Sequence, residues 1–170
     1  QFPSKANPRT QELAKQWRQE SEDDAAIVQH ALQYFRTEKF SYTLQPPRLS
    51  TQDPVDDFLF NTHQGFCEHY SSSFTLLMRA AGIPARVFTG YQGGEKNDIS
   101  DYYTVRQYDA HACSEVWLAG RGWVRVDPTS AVAPQRVELG LSAAASGVAG
   151  LPSFITAKRS GRRRVINMRL

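Results

Sequence analysis

Cys67 follows Gly65-Phe66 and opens a stretch that reads as a helix, which makes its thiol a candidate nucleophile. A sulfur at a helix N-terminus faces unpaired backbone N–H groups and the positive end of the macrodipole. That setting lowers a thiol pKa from ~8.5 into a range of about 3.5–7.5, most of all beside an imidazolium. Glu68 opposes this by favouring the neutral thiol. Gly65, without a side chain, leaves room for a substrate backbone to approach. The competing reading is a small buried residue, the usual state of a cysteine taken without context.

A thiol nucleophile needs a base, and the base works best when a carboxylate orients it. Four histidines are available. His30 falls inside a predicted helix and reads as a surface or packing residue. His69 is two residues beyond Cys67 on one helix, about 200° around the axis, and points away from it. His63 lies in the preceding loop and remains open. His111 opens a predicted strand, His111-Ala-Cys-Ser-Glu-Val-Trp117, and the next strand ends in Val126-Asp127-Pro128. A histidine and an aspartate on adjacent strands can form a base and its orienter. A two-residue turn at Gly120-Arg121, however, puts Asp127 opposite Ser114. It would then lie about 10 Å from His111 and on the other face of the sheet, unless a bulge or a longer turn intervenes.

These residues have to be positioned by a small set of elements. Asn7-Pro8 reads as an N-cap and first-turn pair before a helix over Arg9 to Glu20. Ser21 with Asp24 resembles a capping box for a second helix reaching about Phe35, whose apolar face is Ile27, Val28, Ala31, Leu32 and Phe35. Phe40, Tyr42 and Leu44 alternate as a short strand, Pro46-Pro47 breaks it, and Asp53-Pro54 starts another short helix. In the segment Cys67 to Ala81 the residues Cys67, Tyr70, Phe74, Leu77, Met78 and Ala81 form one helical stripe. Gly82 is then a left-handed cap, and Pro84 prevents resumption. A strand over Val87 to Tyr91 follows. Gln92 to Asp101 reads as an exposed, mobile loop, and two further strands run near His111 to Leu118 and Trp123 to Asp127. The fold class is α+β, with the helix of Cys67 packed on an antiparallel sheet.

Charge and composition exclude several classes. Residues 1–138 carry 14 basic and 17 acidic side chains, whereas residues 139–170 carry six basic and none acidic, which together give the net +3. The basic excess belongs to the tail (Lys158, Arg159, Arg162, Arg163, Arg164, Arg169) and not to the body, so nucleic acid is not an expected partner. The tail reads as a solvated segment, with a membrane-surface or linker role as the sharper alternative. The longest apolar runs, such as Ala25 to Val28, have four members, far short of a ~20-residue membrane span. Two cysteines are too few for a disulfide scaffold. Cys113 reads as packing, with a Cys67–Cys113 disulfide as the minor alternative. A zinc site drawn from His63, Cys67, His69, His111 and Cys113 lacks zinc-finger spacing. Trp117, Trp123, Tyr102, Tyr103 and Tyr108 are expected mostly in the core or on a sheet face, with the lining of an acyl-donor groove as the alternative for some of them.

Three ordered blocks carry a resemblance. The run Gly65-Phe-Cys67-Glu-His-Tyr-Ser-Ser-Ser-Phe74, continued by Arg79-Ala-Ala-Gly-Ile-Pro-Ala-Arg86-Val, resembles the nucleophile helix of the transglutaminase-like superfamily. His111-Ala-Cys-Ser-Glu-Val-Trp117 and Gly122-Trp-Val-Arg-Val-Asp127-Pro-Thr129 are similar to that superfamily's histidine and aspartate blocks, and they come in the same order. The resemblance implies a papain-like core, with Cys67 as nucleophile, His111 as general base and acid, and Asp127 as its orienter. It also implies a thioester formed from a glutamine carboxamide of a protein or peptide and resolved by an amine. A hydrolase using the same three residues, or a silent binding module, are the alternatives. The tryptophan that animal members use as an oxyanion donor does not transfer, because Trp17, inside the first helix, is the only one upstream. Gln64 and Asn61 are the local candidates. No acidic loop has calcium-binding spacing, and neither metal nor cofactor is expected. By resemblance residues 1–138 form one domain, with 1–60 a helical lead-in, 61–130 the catalytic core and 139–170 an extension. The flanking sequence is most similar to bacterial inner-membrane members, which hold this domain in the periplasm between membrane segments outside this chain.

Overall fold

A computed structural model describes residues 6–134. Helix α1 (Pro8–Glu20) and helix α2 (Asp24–Thr37) lead, as the patterning predicts, with Asn7 and Pro8 in the expected N-cap and first-turn positions of α1 and a different cap on α2. Asp23, not Ser21, caps α2 by accepting the Ala26 N–H at 2.8 Å. Asn7 sits at the start of α1 in a left-handed conformation, and its side chain serves another helix, α3 (Pro54–Asp57). Asn7 Oδ1 accepts the N–H groups of Val55 and Asp56, while the Asp56 carboxylate accepts those of Arg9 and Thr10. Each helix therefore satisfies the other's orphan donors across more than 40 residues of chain, an exchange local patterning does not reveal.

The expected strand at Phe40–Leu44 contracts to β1 (Ser41–Tyr42), which pairs in parallel with β2 (Gln64–Gly65). Between them α3 runs into a π-helical turn, Phe58–Thr62, which stops at His63 in a left-handed conformation. Helix α4 (Cys67–Ala80) follows. Its stripe of Cys67, Tyr70, Phe74, Leu77, Met78 and Ala81 is buried, and from Tyr70 onward it packs into the core with Ala14, Trp17, Ile27, Ala31 and Phe35. Gly82, at φ +82°, ends the helix as expected, and the Ile83 N–H reaches back to the Met78 carbonyl. Arg18 of α1 donates twice to the Ala81 carbonyl and so clamps the same helix end.

The main sheet is antiparallel with order β3-β6-β7, formed by β3 (Ala85–Tyr91), β6 (Ala110–Leu118) and β7 (Gly122–Val126). The segment between β3 and β6 is not simply a loop, because β4 (Glu95–Lys96) and β5 (Tyr103–Thr104) pair there as a small hairpin. Asn97 Oδ1 accepts the Ile99 and Ser100 N–H groups and folds the tip, which supplies the turn without an Asn-Gly pair. Helix α4 lies on the β6 face that carries Ala112, Ser114 and Val116. Small hydroxylated residues allow a close approach there. Ser71 Oγ donates to the Ala112 carbonyl, Ser114 Oγ donates to the Ser71 carbonyl, and the Thr75 and Ser114 hydroxyls meet at 3.1 Å. The helix that begins with Cys67 is thereby fastened to the strand that begins near His111. The basic tail, the boundary at residue 138 and the extension 139–170 lie outside the described residues.

Candidate active site

The junction of β2 and α4 places the thiol. Phe66 occupies the N-cap position in an extended conformation, and its N–H donates to His69 Nδ1 at 3.4 Å. His69 thus takes the capping-box position usually filled by Glu or Gln, and its ring stacks edge-on against Phe66 at 4.6 Å. Burial holds its pKa below the ordinary value, which keeps the ring neutral and able to accept. Gly65 is required here for a reason other than substrate access. A Cβ on Gly65 would lie 2.7 Å from His69 Cβ and Cγ and 2.9 Å from a Phe58 ring carbon. Gly65→Ala is therefore expected to destabilise the fold by about 1–3 kcal/mol and to lower activity with it, because His69 Cβ cannot yield without moving α4. Urea unfolding checks the first part, and a wild-type midpoint would refute it.

The hairpin register decides where Asp127 goes. Leu118 pairs with Gly122 and Ser114 with Val126, so the turn holds three residues rather than two. The Arg121 N–H closes on the Leu118 carbonyl, and Gly120 and Gly122 sit at φ +75° and +73°. This one-residue difference from the two-residue turn moves Asp127 to the level of Cys113, on the His111 face and one diagonal step from it. Its Oδ2 lies 2.6 Å from His111 Nε2. Its Oδ1 accepts the Thr129 N–H at 3.0 Å, capping the 3-10 turn Pro128–Ala131. The carboxylate is fixed at both oxygens.

His111 is buried, and no nitrogen or oxygen is bonded to its Nδ1. With Nε2 taken by Asp127, Nδ1 is the ring atom left for Cys67, whose side chain contributes to the His111 environment. Burial, the largest single influence, disfavours the imidazolium. The hydrogen bonds and charges of Asp127 and Cys67 together outweigh it and push the pKa up to about 9. A histidine with a raised folded pKa adds stability that is fully present below about pH 6.5 and is lost as pH rises through about 9. With Cys67 replaced by alanine, so that no thiol gives up a proton against it, stability is accordingly expected to fall above about pH 6.5 by on the order of 1–2 kcal/mol, and adding His111→Gln should remove most of that slope. Urea titrations at both ends of the window check this, and equal slopes in the two proteins would refute it.

The other predicted residues are placed elsewhere. His30 is exposed, and His63 Nε2 lies 2.7 Å from the Leu59 carbonyl with its ring against Phe40. The Asn61 side chain bonds Asp57 and Arg9 and does not face the thiol, and Gln64 is exposed on β2. Neither lines the cleft that contains Cys67 and His111, which has a volume of about 250 Å³. Cys113 is buried and accepts from Arg125 Nε at 3.1 Å, and neither cysteine is in a disulfide. Trp17 is a core residue. Among the described residues no three His, Cys, Asp or Glu side chains converge on a possible metal position. Tyr42, Leu44, Phe66, Glu68, Gln107 and Tyr108 line the cleft instead. Trp117 and Trp123 pair across β6 and β7 on a sheet face, as expected, whereas Tyr108 stands partly exposed at the cleft and Tyr102 and Tyr103 are exposed. No spacing in the sequence links the Tyr42 and Tyr108 regions, because each reaches the cleft from a separate loop or edge.

Comparison with known proteins adds a family to this geometry. The profile of the Transglutaminase-like superfamily matches residues 11–128. The chain is 50% identical over 147 residues to the protein-glutamine gamma-glutamyltransferase of Pseudomonas aeruginosa, a match covering 86% of this chain and 22% of that protein. It is 33% identical over 135 residues to the protein YebA of Bacillus subtilis, covering 76% of this chain and 18% of that one. The crystal structure of the periplasmic domain of TgpA from Pseudomonas aeruginosa superposes with a TM-score of 0.79 at 51% identity, covering 83% of this chain and 49% of that chain. The chain thus spans about a fifth of the length of these curated relatives. Among the described residues no helix is long and apolar enough to cross a membrane.

Proposed function

The chain belongs to the transglutaminase-like superfamily, and from that premise we propose that it transfers the acyl group of a glutamine side chain to an amine through a thioester on Cys67. The observation that carries this reading is the placement of His111 between Cys67 and a carboxylate that is itself fixed at both oxygens. In the resting site Cys67 is the thiolate and His111 the imidazolium, Nε2–H toward Asp127 and Nδ1–H toward sulfur. Sulfur attacks the carboxamide carbon, and the oxyanion is met by the Cys67 backbone N–H at the start of α4. As the C–N bond breaks, His111 delivers its Nδ1 proton to the departing ammonia, leaving a thioester. The incoming amine attacks the same carbon and passes a proton to His111, and the C–S bond breaks to restore the pair. The substrate is a protein or peptide, and the likeness to a periplasmic domain supports a site of action at the cell envelope.

The test incubates the chain with a glutamine-containing protein and a tagged primary amine, and reads the glutamines by mass spectrometry. Tag incorporation with release of ammonia is the expected result. Conversion of glutamine to glutamate, or backbone cleavage, without incorporation would replace the reading by a hydrolase. No cysteine-dependent change of any kind would leave a silent module.

A further inference from the structure

Among the described residues Glu68 is the one carboxylate lining the cleft of Cys67 and His111, next in sequence to the nucleophile. It is exposed, and among the described residues it makes no ion pair and no side-chain hydrogen bond. Its charge is felt by His69 and is not among the influences on His111, whose partners are Asp127 and Cys67. Charges beside the cleft wall are spent elsewhere, and Asp127 is held by His111 and Thr129. Arg106, beside Tyr108, is paired with Glu95 at 2.9 Å, and the Asp109 carboxylate accepts the Arg106 N–H. A first-turn acid also favours a helix through the macrodipole, but that role does not need a carboxylate facing a cleft. Beside the polar Thr89 and Gln107 the wall carries Tyr42, Leu44, Phe66 and Tyr108, a surface that accepts an alkyl chain and the face of a cation.

We propose that Glu68 forms the acceptor subsite, holding the ammonium of a lysine-type side chain while its alkyl stem lies along Tyr42, Leu44 and Phe66. The subsite rests on the transferase reading above. The bound ammonium loses one proton to water before it attacks. The N–C bond then forms as the C–S bond breaks, and the second proton goes to His111. A substrate that arrives as a cation is concentrated at the cleft by this carboxylate, whereas a neutral amine is not.

The test compares two acceptors in each protein, Nα-acetyl-lysine methylamide as the cation and hydroxylamine as an amine that is neutral at the assay pH. In Glu68→Gln the ratio of kcat/KM for the cationic acceptor to that for hydroxylamine is expected to fall about fivefold, through KM, as befits one solvent-exposed charge pair. Glu68→Lys should lower it further, and Glu68→Asp should recover most of the wild-type ratio. Raising the salt concentration should shrink the wild-type preference toward that of Glu68→Gln. A ratio unchanged in Gln and Lys variants that still transfer hydroxylamine would overturn the subsite and leave the transferase reading intact. Incorporation of neither acceptor by the wild-type chain would overturn both.

Discussion

Replacing Cys67 with alanine is expected to lower amine incorporation by at least about 10,000-fold while leaving the fold intact, because no other group in the cleft can carry the acyl intermediate. The neighbouring thiol cannot substitute. Cys113 is two residues beyond His111, buried and tied to Arg125, and burial raises its pKa. The stability change should be about 1 kcal/mol or less, because Cys67 stands at the end of its helix outside the apolar cluster formed by Tyr70, Phe74, Leu77 and Met78. Mass spectrometry of the glutamine substrate reads the activity, and urea unfolding reads the fold. Turnover within tenfold of wild type in a folded Cys67→Ala protein would remove Cys67 from the mechanism.

Asp127→Asn should be nearly as severe, with a loss of about 1,000- to 10,000-fold, and the reason lies in the second oxygen. The Thr129 N–H donates to Oδ1 and so requires an oxygen there. In an asparagine the amide oxygen fills that position, and the NH₂ group then points at His111 Nε2. A donor facing Nε2 forces the neutral tautomer with its proton on Nδ1, which can neither take a proton from sulfur nor stay cationic beside it. Asp127→Ala removes the orienter but imposes no tautomer. The isosteric Asn variant is therefore expected to be at least as inactive as the Ala variant. It should nonetheless be the more stable of the two, since it keeps the cap, which is worth about 1 kcal/mol. Thiol alkylation against pH offers a second readout. In both variants Cys67 should react with the pH dependence of an ordinary thiol. A more active Asn than Ala variant would show that Asp127 does not set the tautomer.

The two variants also separate what was legible in the residues from what was not. The helix of Cys67 was legible because its apolar stripe repeats at helical spacing, and because Gly82 and Pro84 end it by backbone constraints that act within a turn. The strands of His111 and Asp127 were legible in type and order for a similar reason, as short alternating runs around a glycine-rich turn. Their register was not. Gly120-Arg121-Gly122 accommodates a connection of two or three residues, and that one-residue choice places Asp127 either against His111 or on the opposite face. The cross-capping of α1 and α3 by Asn7 and Asp56, and the capping of α4 by His69, were missed because a polar side chain does not declare which distant N–H it will accept.

The sequence by itself determined the element types, the stripe that buries α4 and the order in which a thiol, an imidazole and a carboxylate appear. Each of these depends on residues only a few positions apart. Tertiary structure alone decided that the three groups meet, that Gly65 makes space for His69, and that Glu68, Tyr42 and Tyr108 share one cleft wall. Those outcomes depend on packing α4 against β6 through Ser71, Thr75 and Ser114, and on a pairing register in which a slip of one residue turns every side chain to the other face.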